Sequence, residues 1–442
     1  MELKPTTKAE RQTTTWDMFA TWVGANANNG TWFVGGVLAA CGFLTAMHVM
    51  VLSSAISYVF LSLVGYIGYK TGVSTMGLSR ASFGERGSYV PSVVNLTQFI
   101  GWTSVNTFIA AQSVALIMTD LFGWGKDSQA GVILGIVVMS VLHILSIASG
   151  EKSIRLIERI GIVLVMIFVI WESVAVFKTV SMHQIIDWQV PAKSKMALGS
   201  AIDYVAAFNL AWVTAGADFT RYTKKRHNST VMPFLGALTG VVWFAFIGLI
   251  STISIAITSG VYDSANSDPS TIASKLGLGI VALIVIVLTS MTANAVNLLA
   301  AGSALSNIQP KLSLKKSLWI VVWLATLVTF IPLFIGSFLD TFEAFLDYVA
   351  MVLGPTIAII CADFYIKAKR NYDPNEFGKV NGKYWYKAGF NPSAIITFIV
   401  GVCLFLLLSK QAIFVNSIGF TFIDMIISAG LYLGLSKVLE RK

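Results

Sequence analysis

Residues 21 to 36 read TWVGANANNGTWFVGG, placing three asparagines and four glycines where the first apolar segment of the chain should run without interruption. The rest of the chain shows why that matters. It is 442 residues long, 55% hydrophobic and only 12% charged, with a mean hydropathy of +0.74, far from the balance of a soluble domain. The chain is therefore read as an integral membrane protein. In hydrocarbon every backbone N–H and C=O must find a partner, so a polar, glycine-rich break is tolerated only where it is buried in protein or lines a cavity. Broken helices of this kind are the usual way a membrane transporter builds a binding site at mid-bilayer.

Apolar runs long enough to cross about 30 Å of hydrocarbon recur at 17–40, 47–68, 91–122, 130–149, 156–178, 197–217, 232–259, 277–304, 317–336, 344–365, 393–409 and 412–436. This predicts an all-α protein with twelve transmembrane helices. With the N-terminus inside, only Lys126, Lys178, Lys193, Lys195, Lys275 and Lys410 of the 31 Lys and Arg fall on outward segments. That asymmetry places both termini in the cytoplasm. It also accounts for the net charge of +9 through short inward loops such as 221–226, without a nucleic-acid partner. The segment before Trp16 is too polar for a cleavable leader, so the first span is expected to be its own insertion signal. Cys41, Cys361 and Cys403, with four scattered histidines, lack the spacing of a disulfide framework or a metal cluster.

The longest polar segment, 366–392, separates ten helices from a final pair. Within the ten, the first and sixth spans hold corresponding places in two groups of five. Both carry anomalies: the asparagine break in the first, and Asp203, Asn209, Thr214 and Gly216 among aromatics in the sixth. Paired interrupted helices at equivalent positions point to an inverted-repeat transporter, although small residues also serve close helix packing. The chain accordingly divides into a tail at 1–16, five-helix repeats at 17–179 and 197–366, and a last pair at 393–436.

Gln98, Trp102 and Asn106 of the third span are four apart, so two amides and an indole share one helix face. Such a face suits a flat neutral heterocycle, with a stacking surface and both donors and acceptors for its edge. The same amides could equally bond across to a neighbouring helix. In the eighth span Ser290, Asn294 and Asn297 fall on one side, and Thr289 and Thr292 towards the other. One helix could thus face a substrate with amides and a small cation with hydroxyls, unless the threonines bond back to their own carbonyls. The ionisable residues within spans are Glu172, Asp203, Asp347 and Asp424, and buried carboxylates in a membrane are functional suspects. Asp218 and Asp363, in similar ADF stretches at helix ends, are expected to pair with nearby basic groups or backbone donors.

Gly65-Tyr66-Ile67-Gly68-Tyr69-Lys70-Thr71-Gly72, followed by Arg80-Ala81-Ser82-Phe83-Gly84, and Gly354-Pro355 leading into Ala362-Asp363-Phe364, resemble the nucleobase:cation symport family over nearly the whole chain. The resemblance implies a LeuT-type arrangement of five plus five inverted helices and two more, with substrate between the first, third, sixth and eighth. Trp102 matches the family's stacking aromatic, and Asn106 falls where some members use an amide to read the ring. Phe208 and Trp212 both remain as the partner aromatic. Asn294 and Asn297 match an asparagine pair of the fungal purine-cytosine permeases. Gln98 and Asn28 complete the expected substrate contacts. A sodium site, if present, would use Gly24 and Asn28 of the first helix with Thr289 and Thr292. Ala293 departs from sodium-coupled relatives, which often carry a hydroxyl there, and this leaves the coupling ion as sodium or a proton.

The function expected from these features is import of a nucleobase, purine or cytosine, coupled to a cation gradient. It needs no cofactor and no obligatory protein partner, and it places the chain in the plasma or inner membrane. A related heterocycle (a thiamine-precursor pyrimidine, allantoin or a hydantoin) would suit the same groups. A passive facilitator would need a continuous polar path instead of polar groups gathered at mid-membrane. A membrane enzyme is disfavoured because no nucleophile-base set or phosphate-cradling loop occurs.

Overall fold

A capping box starts the first helix: Thr14 accepts from the Asp17 N–H while the Asp17 carboxylate accepts from the Thr14 backbone. The helix then runs only twelve residues before the chain leaves the helical region at Ala27 and Asn28. The computed structural model describes residues 5–125, 128–149, 151–264, 267–309 and 311–439, and the side chains of all these except 148, 149 and 151–162. Lys4, Lys126, Arg441 and Lys442, which entered the charge count, lie outside the described residues, as do the side chains of Lys152, Arg155 and Arg159.

The described elements are helical. They are α1 (Thr15–Asn26), α2 (Asn29–Leu38), α3 (Phe43–Thr71), α4 (Thr75–Phe83), α5 (Tyr89–Phe122), α6 (Gln129–Ser149), α7 (Glu151–Thr179), α8 (Met182–Asp187), α9 (Leu198–Val213) and α10 (Gly216–Thr220). There follow α11 (Arg226–Ser259), α12 (Pro269–Lys275), α13 (Gly279–Ile308), α14 (Leu314–Thr329), α15 (Ile331–Ile335), α16 (Phe338–Ala362), α17 (Pro392–Leu408), α18 (Ala412–Val415) and α19 (Thr421–Leu439). Among the described residues, eight spans are long and apolar enough to cross a bilayer: α3, α5, α6, α11, α13, α14 with α15, α16 with the turn after it, and α19. The protein is a multi-pass membrane protein.

Two groups of helices meet along the centre. One is α1 and α2 packed on α11, with α3 against α9 and α11; the other is α5 against α6, α13 and α14. Glycine makes the first group tight. A Cβ at Gly35 would fall 1.8 Å from the Ala245 carbonyl oxygen, and one at Gly248 2.0 Å from that of Trp32, so α2 and α11 touch backbone to backbone. Such small-residue contacts are the main adhesive between helices in lipid, where no hydrophobic driving force operates.

The polar segment 366–392, expected as a divider, is instead folded onto α4. The Tyr386 hydroxyl donates to the Ala81 carbonyl, the Asn391 N–H to that of Phe83, and the Gly378 N–H to Glu85. Glu85 also holds Arg80 at 2.7 Å, and Arg80 reaches Asn307 of α13. The end of the molecule that carries α4 and the start of α1 is called the N-terminal face below. Asp218 accepts there from the Thr75 N–H and hydroxyl, and Asp363 from the Tyr372 and Tyr432 hydroxyls with Lys367 at 3.2 Å.

Candidate functional site

The break between α1 and α2 is held open by its own asparagine. The Asn28 side-chain oxygen accepts from the Thr31 N–H and its amide donates to the Ala25 carbonyl, so Asn28 caps α2 and its amide faces its own backbone. The sequence had placed Asn28 among the substrate contacts; the side chain holds the break. Just beyond it, Gly30 brings the backbone close to two rings: a Cβ there would lie 3.1 Å from the Asn28 side-chain oxygen and 3.6 Å from both the Trp102 indole and the Phe208 ring, so no more than a methyl group separates them.

Trp102 is the hub. Phe208 stands edge-on to it at 5.2 Å and 86°, with Phe345 at 5.1 Å and Phe342 at 5.9 Å. Phe33, Phe338 and Tyr204 pack on Phe342, stacking rings over Trp102 on the side away from the N-terminal face. The indole N–H of Trp102 and the side-chain oxygen of Asn106 are buried without a partner. Buried polar groups are nearly always satisfied, and an unmatched donor and acceptor one turn apart is what a planar polar ligand would complete.

The remaining predicted residues divide. Trp212, the other aromatic in α9, packs on Trp22 and Phe99 and away from Trp102. The Gln98 amide is occupied between helices, donating to Asn95 and Thr214 at 3.0 and 3.1 Å, with its oxygen unmatched. Asn294 donates to the Thr103 carbonyl and the Thr107 hydroxyl and meets His143 at 3.2 Å, leaving its oxygen unmatched. Asn297 is buried. Thr289 and Thr292 donate back to Val285 and Thr289 carbonyls. Of the sodium candidates, Gly24 and Thr292 line one cavity of about 450 Å³, with Ala293 and Trp212 also on its wall; Asn28 and Thr289 are not part of that lining. A second cavity of about 420 Å³, lined by Asn95, Phe99, Trp212, Thr214 and Asp218, lies beside it. Both are on the side of the N-terminal face, and a third of about 470 Å³, lined by Lys193, Asp203, Tyr204, Glu343 and Asp347, lies towards the other.

A family model described as permease for cytosine/purines, uracil, thiamine, allantoin matches residues 5–426. The chain belongs to this permease family. The permease is 24% identical over 434 residues to the purine-uracil permease NCS1 of Arabidopsis thaliana, covering 91% of this chain and 70% of that one. Its fold is that of Mhp1. The inward-facing form of Mhp1 superposes with a TM-score of 0.80 at 18% identity, covering 98% and 93% of the two chains. The closed form with bromovinylhydantoin bound, described as a nucleobase-cation-symport-1 family transporter, gives 0.77 at 18% identity over 99% and 96%. The permease is thus a LeuT-type membrane transporter of the nucleobase class, and its relatives are transporters and not enzymes.

Sequence reasoning passed over several residues that the fold brings to this centre. Asn29, the third asparagine of the break, donates to the Ile286 carbonyl and the Ser290 hydroxyl, tying α2 to α13. The Tyr58 hydroxyl bridges Asn26 and Asn209 at 2.9 and 2.7 Å, and Asn209 reaches Ser54. A single Tyr or His in an apolar run gives no spacing signal, which is why Tyr58 and His143 were invisible. Of the carboxylates, Asp203 accepts from the Phe420 and Thr421 N–H groups at the start of α19, and Asp424 meets Ser428 at 3.4 Å with its other oxygen unmatched.

Proposed function

We propose that the permease imports a nucleobase, a purine or cytosine, by symport with a proton or sodium, the base lying beside Gly30 against Trp102 and Phe208 once helix movement makes room for it. The unmatched Trp102 N–H and Asn106 oxygen carry the reading. Asn294, through its free oxygen, is the third contact; Gln98 and Asn297 act as positioning groups, as does Trp212 on the wall of the two cavities. A cation would sit between the Gly24 carbonyl and Thr292, with Thr289 and the Asn28 backbone behind. Twelve crossings follow if α7, α9, α17 and the α1–α2 pair also span, with five-helix repeats at 17–179 and 197–366 and the last pair at 393–436. The N-terminal face is then cytoplasmic, both termini lie inside the plasma or inner membrane, and the aromatic lid closes the outside.

The test is uptake of radiolabelled cytosine, adenine, guanine and uracil into proteoliposomes under separate sodium and proton gradients. Accumulation of one base under one gradient is expected. A second reading, import of a hydroxymethylpyrimidine, allantoin or hydantoin, is supported by the breadth of the family's described substrates, and those compounds belong in the same assay. Equilibration without accumulation would mark a facilitator.

A further inference from the structure

One buried acid stands outside the site just described. Glu172 of α7 is fully buried; one oxygen accepts from the Ser251 hydroxyl of α11 at 2.5 Å and the other has no partner. It faces the body formed by α2 and α11. Trp32 of α2 packs on Phe168, one turn before Glu172, at 5.1 Å, and against Gly248, one turn before Ser251. The Trp32 indole N–H and the Thr252 and Ser267 hydroxyls are also buried without partners. A Cβ at Gly36 would fall 2.8 Å from the Thr252 hydroxyl and 2.7 Å from Ser267 Cβ, so these groups gather where α2 meets α11.

Among the described residues, no charged group compensates the carboxyl. Neither α2 nor α13 contains a titratable residue, and α11 has only Arg226 and His227 at its far end. His143 of α6 is hydrogen-bonded with Asn294, Lys178 is exposed near the end of α7, and Asp268 is occupied in capping α12. Removing an ionised carboxylate from water with no counter-charge is too costly to be stable, so in this closed seam Glu172 carries a proton.

Water is nevertheless near on both sides. Seven residues on, Thr179 at the exposed end of α7 meets the Ser254 hydroxyl at 3.4 Å. Seven residues back, Val165 lines the cavity open to the N-terminal face. Each is two helical turns, about 10 Å, from Glu172. We propose that Glu172 is a proton-binding site that couples transport to the proton gradient: the carboxylate is reprotonated when the α7–α11 seam opens along Thr179 and Ser254, and the neutral acid permits the seam to close. The step is a simple protonation, released again when water reaches the acid from the Val165 side. It rests on the importer reading above and names the proton as the coupling ion.

The experiment uses full-length protein in sodium-free liposomes containing a pH-sensitive dye, with radiolabelled cytosine, adenine, guanine and uracil assayed separately, and a parallel arm with a sodium gradient at equal pH on the two sides. A one-unit pH gradient should support about tenfold accumulation at one proton per base, with acidification of the lumen. Glu172→Gln keeps an acceptor for Ser251, and it should exchange base across the membrane at close to the wild-type rate while its accumulation falls to about unity and acidification disappears. Glu172→Asp should recover part of the coupling. Unchanged accumulation in Glu172→Gln, wild-type accumulation by sodium alone, or loss of exchange in both variants would each overturn the proposal. Absence of exchange in the wild type would instead overturn the importer reading, and the proposal with it.

Discussion

The two interrupted helices differ in kind. At Ala27 and Asn28 the backbone leaves the helix entirely, with ψ angles of 63° and 163°. At Thr214 and Ala215, between α9 and α10, both residues keep near-helical angles of −71°, −13° and −97°, −4°. The second interruption is a relaxed turn, pinned by Thr214, which donates to Asn95 and Ala211. An unwound break frees backbone dipoles to face a ligand or ion, whereas a relaxed turn leaves most of them satisfied. The α1–α2 break therefore leaves backbone groups free, whereas the sixth span meets Trp102 through a side chain, Phe208. Glycine follows the same division: a Cβ at Gly35, beyond the first break, would lie 1.8 Å from the Ala245 backbone, but one at Gly216, after the second, would lie 3.1 Å from the flexible end of Leu61 and at an ordinary 3.5 Å from the Leu61 carbonyl and Val64.

The largest effect that would separate the two regions is on folding. Gly35→Ala must push α2 off α11, and overpacking against backbone is expected to cost about 3 kcal/mol or more. Detergent-solubilised protein should show this as a much lower melting temperature by tryptophan fluorescence. A near-normal melting curve would mean that α2 and α11 are not locked together.

Next is binding at the point where both regions meet. Trp102→Ala should weaken base binding by about 1–3 kcal/mol, the range found for base–aromatic stacking, while the melting temperature changes much less than in Gly35→Ala. Equilibrium binding of the transported base measures it. If Trp212→Ala were the more damaging of the two, the base would lie towards the Gly24 cavity and not at Gly30.

Much of this division was legible in the sequence, and the exceptions have physical reasons. Asparagines and glycines in an apolar run announce the α1–α2 break because hydrocarbon tolerates them so poorly. Four-residue spacing set Trp102 and Asn106 on one helix face, and there each carries a buried polar atom without a partner. The same rule could not choose between Phe208 and Trp212, which share a face. The two are told apart only by which rings they meet, Phe208 on Trp102 and Trp212 on Phe99. Nor could it tell an amide facing a ligand from one facing a neighbour: Gln98 bonds to Asn95 and Thr214. The polar segment 366–392 read as a divider because composition reports solvent contact and not docking; its tyrosines both pack and hydrogen-bond, as Tyr386 does on Ala81.

Asn28→Ala tests whether the first break is held by its own side chain. Losing an N-cap typically costs about 1 kcal/mol, and the bond to the Ala25 carbonyl is lost with it. Transport should fall while folding is only mildly affected. Asn28→Asp or Asn28→Ser, which retain a capping oxygen, should recover most of the stability. If Asn28→Ala were neutral, or if Asn28→Asp and Asn28→Ser failed to restore what it lost, the cap would not be what shapes the break.

The smallest effect is expected at the second interruption. Gly216→Ala adds a methyl group 3.1 Å from Leu61 Cδ1, a contact that a small side-chain rotation relieves. Against this, alanine restricts the unfolded chain and favours helix, a gain of about 0.4–1 kcal/mol where the backbone is compatible. The two terms nearly cancel, so stability should stay within roughly 0.5 kcal/mol of wild type and uptake should be unaltered. A relaxed turn has no need of glycine's freedom, whereas an unwound hinge that changes conformation during transport does. If Gly216→Ala folded normally but abolished uptake, the α9–α10 turn would have to open in another state, and the contrast between the two interruptions would belong to this conformation alone.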